Sequence, residues 1–161
     1  MKNTYNINEL LNRQLSLEKT ASTYYSYYYT KLKKLNLNKL AEFLKKEYIE
    51  EENHFIDFLD KLEDLNVDFE LDKDIFSQKV YGDIDDETPF NIFHTAKILE
   101  DKNKINLEKL YDAVLDYGGK YLSLLPTITK YMEHQNESIN EIEDMISKIT
   151  NLGPYMYDTM I

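Results

Sequence analysis

The chain has 161 residues, 42% of them apolar and 30% charged, with a formal net charge of −11 and no cysteine. That length supports a single domain over 1–161 with a core of its own, and the lack of cysteine excludes disulfides, thiolate catalysis and thiolate-held zinc or iron–sulfur clusters. The acidity argues against nucleic acid as a partner, since phosphate binding rests on Lys and Arg, and is compatible with cations.

The first residues, MKNTYNINELLNRQ, hold one early Lys and no continuous apolar stretch. They predict neither a leader nor a membrane anchor, and hence a cytoplasmic chain. From there apolar residues recur at spacings of three and four, the helical period. A first helix is predicted over about 8–35 and a second over about 39–65, joined by the short Asn36-Leu37-Asn38 and therefore antiparallel. Residues 66–87 carry no sustained pattern and predict a long crossover along the bundle. Thr88 then reads as an N-cap with Pro89 at the first helical position. A third helix is predicted to run to about Tyr117, where Gly118-Gly119 breaks it, and a fourth to span about 126–149. After Gly153-Pro154, PYMYDTM predicts a short fifth helix. The fold class is all-α, a four-helix bundle with an added C-terminal helix.

The inward stripes carry polar residues at mid-height. On the first helix Leu11, Leu15, Glu18, Ser22, Tyr25, Tyr29 and Leu32 share a face, and on the second Leu40, Leu44, Glu47, Glu51, His54, Phe58 and Leu62. The third presents Phe93, Ala96, Glu100, Asn103, Leu107 and Leu110. The fourth presents Ile128, Met132, Gln135, Ile139 and Ile142. Taken singly, Glu51 reads as a solvated charge and His54 as a core histidine. Together with Glu18, Glu100 and Gln135 on the other inner stripes they call for a cation, because an unpaired buried carboxylate costs several kcal/mol. Glu51-x-x-His54 has the i, i+3 spacing that di-iron carboxylate bundles use. Oxygen and imidazole donors without thiolate suit iron or manganese and tolerate zinc.

LLNRQLSLEKTASTYYSYYY, LAEFLKKEYIEEENHFIDFLDKLEDLN, TPFNIFHTAKILED, EHQNESINEIEDMISKI and LGPYMYDTM together resemble the ferritin family over nearly the whole chain, most closely the non-haem ferritins of bacteria. The resemblance implies a homo-oligomeric shell of twenty-four subunits that oxidises Fe(II) and stores ferric mineral. Dioxygen or peroxide would be the oxidant at a di-iron centre, without an organic cofactor, and an external reductant would release the iron. Residue by residue, it implies Glu18 and His54 as terminal ligands of a first iron and Glu51 as the bridging carboxylate. Glu100 matches the ligand of a second iron, Gln135 the glutamine that orients water or dioxygen, and Tyr25 the tyrosine hydrogen-bonded near the centre. Ser138 stands where many bacterial members have a further glutamate, which implies a weaker second position. An outer third site is incomplete, with Glu50 and Glu137 matching it but His134 and Ser138 in place of carboxylates.

Three other readings compete: a miniature DNA-protecting ferritin, a di-iron redox protein of the rubrerythrin kind, and a weakly catalytic storage or structural subunit. The complete ligand set within one chain argues against the first, and the lack of a second Glu-x-x-His against the second. Most of Tyr24 to Tyr29 reads as packing. His94 and His134, off the inner stripes, read as surface or interface residues, and the fifth helix as a subunit junction.

Overall fold

A computed structural model describes residues 6–70 and 88–161 of the chain. Four long helices, α1 (Ile7–Lys34), α2 (Asn38–Asp64), α3 (Pro89–Tyr117) and α4 (Leu125–Leu152), are followed by the short α5 (Pro154–Met160). The expected boundaries fall within a few residues of these. The main addition is a 3₁₀ turn, Gly119–Leu124, that leads into α4.

Local chemistry accounts for most helix ends. Asn6 caps α1, its side-chain oxygen accepting from the Asn8 N–H at 2.9 Å, and Thr88 caps α3 by accepting from the Asn91 N–H at 3.3 Å ahead of Pro89. Asn36 and Asn66 stop α1 and α2 in the left-handed region, at φ 62° and 58°, which asparagine tolerates better than most residues. The start of α2 is different. Leu37 offers no side-chain cap, and the Leu40 N–H donates instead to Asp158 Oδ1 of α5 at 2.8 Å. The Lys39 ammonium also donates to the Ile161 carbonyl. Tyr157 is buried in the adjoining core cluster. The tail is thereby tied to its own bundle.

Helix directions follow from cross-bundle hydrogen bonds. Tyr24, late in α1, donates to the Ile92 carbonyl early in α3, and Asn106, further along α3, donates to the Leu10 carbonyl early in α1. α1 and α3 are therefore antiparallel. Since the short turn around Leu37 makes α1 and α2 antiparallel as well, α2 and α3 run parallel. The long crossover expected between them falls largely on residues 71–87, outside those described.

The bundle interior has three levels. One apolar cluster gathers Tyr24, Leu32, Leu40, Leu44, Phe93, Ile142 and Tyr157, among others. A second gathers Leu11, Leu15, Phe58, Leu62, Leu107, Leu110 and Ile128 with their neighbours. Between them lies a buried polar waist. Among the described residues no helix is long and apolar enough to cross a membrane.

Candidate metal centre

The waist is built one helical turn at a time. On α2, Glu47, Glu51 and His54 follow one another at four and three residues, so all three side chains project from one face. Glu18 of α1 and Glu100 of α3 meet that face within the interior. All five are buried. They form two overlapping groups, Glu18 with Glu51 and His54, and Glu47 with Glu51 and Glu100, whose donor atoms lie within 4.8 Å of one another in each group. Glu51 belongs to both.

In the first group His54 Nδ1 lies 3.7 Å from Glu18 Oε2 and 4.0 Å from Glu51 Oε2. Gln14 Nε2 donates to the other Glu18 oxygen, Oε1, at 2.7 Å. In the second, the Tyr25 hydroxyl donates to Glu100 Oε1, and the Ser138 hydroxyl donates to Glu47 Oε2 at 3.1 Å. Gln135 Nε2 donates to the Glu100 main-chain carbonyl at 3.0 Å, which leaves the amide oxygen as the remaining acceptor of the Gln135 side chain. Tyr131 closes the α4 side, its ring 4.3 Å from that of His54 and its hydroxyl donating to Asp57 at 2.6 Å.

Electrostatics mark the cluster as strained without a cation. Burial, together with the charge of Glu18, pushes the Glu51 carboxyl well above the usual range. Burial, with the charge of Glu47, does the same to Glu100. Glu47 is pushed up to about 7 by burial and by nearby Glu50. Burial also raises Glu18, but the adjacent Glu51 carboxyl and His54 imidazole, with the hydrogen bond from Gln14, outweigh it and hold Glu18 below its ordinary value. One carboxylate thus keeps its charge while its neighbours tend to hold protons. Buried atoms without any hydrogen-bond partner include Glu18 Oε2, Glu51 Oε2, His54 Nδ1 and Glu100 Oε2. All four belong to the two groups. A divalent cation held by oxygen and imidazole donors would satisfy them together, and the donor chemistry fits iron, manganese or zinc.

The five residues expected from the sequence, Glu18, Glu51, His54, Glu100 and Gln135, all lie in the waist, and Tyr25 reaches Glu100. Glu47 had been placed on the inner stripe but given no role; the structure sets it beside Glu51 and Glu100. The second group therefore has three carboxylates where two were expected, and Ser138 contributes through Glu47. His134 lies at the edge of the waist: its side chain is 33% exposed, with Nδ1 3.4 Å from Glu50 Oε2, and its ring stands edge-on to His54 at 5.2 Å. Gln14, Asn103 and Asn106 form a further buried amide cluster behind Glu18; Asn103 lay on a predicted stripe, Gln14 and Asn106 on none.

No relative is found among curated proteins. Among solved structures, the apo-ferritin of Pseudo-nitzschia multiseries superposes with a TM-score of 0.82 at 19% identity, covering 96% of this chain and 97% of that one. A PmFTN variant soaked in iron gives 0.82 at 20% identity over 97% of each chain. A likeness at that identity establishes the fold. The profile of the ferritin-like domain matches residues 8–152, nearly all of the bundle, and the chain belongs to the ferritin family.

Proposed function

We propose that this protein is an iron-storage ferritin with ferroxidase activity, whose substrate iron is held by the two groups at the bundle waist. The observation that carries the reading is the convergence of four buried, unpartnered donor atoms, from Glu18, Glu51, His54 and Glu100, on a common interior. Leaving them so is costly unless a cation is present. A solved structure of similar fold was soaked in iron, which supports iron as the cargo.

In this reading Glu18 and His54 hold one Fe(II), Glu47 and Glu100 the other, and Glu51 is shared. Each iron gives up one electron, so that two Fe(II), one dioxygen and two protons yield two Fe(III) and one hydrogen peroxide. Anionic oxygen donors favour this direction, because they stabilise the harder, more highly charged Fe(III) over Fe(II). The remaining residues orient the donors. Tyr25 occupies Glu100 Oε1 and directs Oε2 inward, Ser138 engages Glu47, and Gln135 is anchored on the Glu100 carbonyl with its amide oxygen free to act on iron, water or dioxygen. The ferric product then passes to mineral in the cavity of a homo-oligomeric shell of twenty-four subunits. Large apolar side chains exposed on the single chain, among them Ile49, Ile56, Ile98, Ile105, Tyr155 and Met156, support burial against other copies.

Oxygen consumption on adding Fe(II) to the metal-free protein tests the activity, and the solution mass tests the shell. Rapid uptake of about one dioxygen per two Fe(II) is expected from the stoichiometry above; oxidation no faster than in buffer would overturn the ferroxidase reading. A monomeric or dimeric mass would overturn the storage shell.

A further inference from the structure

We propose that Gln14 and Asn106 form a polarised amide relay that fixes Glu18 as a single-oxygen ligand aimed at the same point as His54 Nδ1. This rests on the reading of the waist as a metal centre and assigns positioning residues to one half of it.

All the groups are buried. Asn106 Nδ2 donates to the Leu10 main-chain carbonyl at 3.2 Å and to Gln14 Oε1 at 2.9 Å. Gln14 Nε2 in turn donates to Glu18 Oε1 at 2.7 Å and to Asn103 Oδ1 at 2.5 Å. The direction of the relay follows from its anchor. A main-chain carbonyl can only accept, so Asn106 must turn its NH₂ to Leu10, and the second hydrogen of that NH₂ then selects the oxygen of Gln14. Gln14 is left presenting NH₂ to Glu18, the orientation an anionic carboxylate requires. All four amide hydrogens of the two residues are used.

The consequence for Glu18 is specific. Oε1 is occupied by the relay, whereas Oε2 has no partner and lies 3.7 Å from His54 Nδ1, itself unpartnered. The relay therefore removes one of the two carboxylate oxygens from competition and points the other at the imidazole. The hydrogen bonds of Gln14 and Asn106 run to Glu18, Asn103 and the Leu10 carbonyl rather than to Glu47 or Glu100, so the effect of the relay belongs to the first group. Hydrogen-bond partners of ligands typically govern metal affinity by about tenfold to a hundredfold.

The test is an anaerobic titration of the metal-free, assembled protein with Co(II), followed by visible absorption, comparing the natural protein with Gln14→Met and Asn106→Asp. Gln14→Met removes the donor at nearly constant volume. Asn106→Asp keeps size and shape but gives Gln14 an acceptor, so that its NH₂ turns toward the new carboxylate and its oxygen toward Glu18. Both variants are expected to weaken one Co(II) site per chain by about tenfold or more and to leave the other unchanged, with circular dichroism reporting intact helices. Should Gln14→Met lose its helices, Asn106→Asp carries the test alone. Lower thermal stability with both Co(II) affinities unchanged would reduce the relay to a packing feature and overturn the proposal, as would equal weakening of both sites. Failure of the natural protein itself to bind Co(II) is a separate result, which would overturn the metal centre and the relay with it.

Discussion

The polar waist and the apolar levels on either side of it are carried by the same four helices, yet they answer to opposite requirements. In the apolar clusters, residues such as Phe93, Leu44 and Leu107 are buried against complementary neighbours, and each contributes stability in proportion to the area it removes from water. In the waist the same helical period buries carboxylates that repel one another and donor atoms with no partner. Stability of the bundle resides at the two ends, and chemistry in the middle, at a cost the ends must offset. A protein organised in this way should respond to substitution by level.

Four measurements separate the levels. The largest effect on folding belongs to an apolar end. Phe93→Ala should destabilise the metal-free protein by about 3–5 kcal/mol, the range for truncating a buried aromatic, while the affinity of the folded fraction for Co(II) stays constant. A loss of metal affinity without loss of stability would erase the distinction between the levels.

Next comes the shared carboxylate. Glu51→Gln should slow Fe(II) oxidation by about a hundredfold or more, at least the upper end of what losing a mere hydrogen-bond partner of a ligand produces, and yet leave the metal-free bundle as stable as before or up to about 1–3 kcal/mol more stable, because a buried carboxyl that must take up a proton on folding at neutral pH has become a neutral amide. Oxygen uptake and thermal melting on the same sample decide it. Unchanged oxidation would move the centre away from Glu51.

The pH dependence is smaller and has a definite sign. Glu47, Glu51 and Glu100 all have carboxyls raised in the folded state, Glu47 to about 7. For an acid raised on folding, the native state binds more protons than the unfolded chain. Its stability is then full below the unfolded value near 4.5 and falls as pH rises through the folded one. Glu18, lowered on folding, acts in the opposite sense, but it is one group against three. The metal-free protein should therefore melt lower at pH 8 than at pH 5, by about 3–10 °C if the net change is about 1–3 kcal/mol. Saturating Zn(II) should reverse the trend, because the metal favours the ionised carboxylates. A melting temperature that rises with pH without metal would contradict the crowding of carboxylates in the waist.

The smallest effect concerns the tail packed on the same apolar level as Phe93. Asp158→Ala removes the acceptor for the Leu40 N–H and should cost about 1 kcal/mol, as loss of a helix cap does, with Fe(II) oxidation unaffected. Equal melting of the variant and the natural chain would mean that water replaces the cap at no cost.

Much of this molecule is legible without coordinates. Helical periodicity and the Gly and Pro breaks define the helices to within a few residues, since both act through the local backbone. The same period turns Glu18, Glu51, His54, Glu100 and Gln135 inward, because residues three and four apart share a face whatever lies opposite. Other features depend on how one helix is set against another. Glu47 lies on the inner stripe of α2 one turn before Glu51, but only the register between α2 and α3 brings Glu100 to that pair, and only the register between α2 and α4 brings Ser138 to Glu47. Asn106 lies off the predicted stripe of α3, and nothing local connects it to Gln14, 92 residues away along the chain. The contacts of Asp158 and Tyr157 with the start of α2 and the neighbouring core are likewise tertiary, since 118 residues separate Leu40 from Asp158.

The division has a physical cause. Which residues face inward is decided by backbone geometry over a single turn, and that was written in the sequence. Which inward atoms meet within hydrogen-bonding or ligating distance is decided by the axial offset and rotation of packed helices, a balance of many side-chain volumes. A shift of one helical rise, about 1.5 Å per residue, is enough to make or break each contact in the waist, and only the tertiary structure settled it.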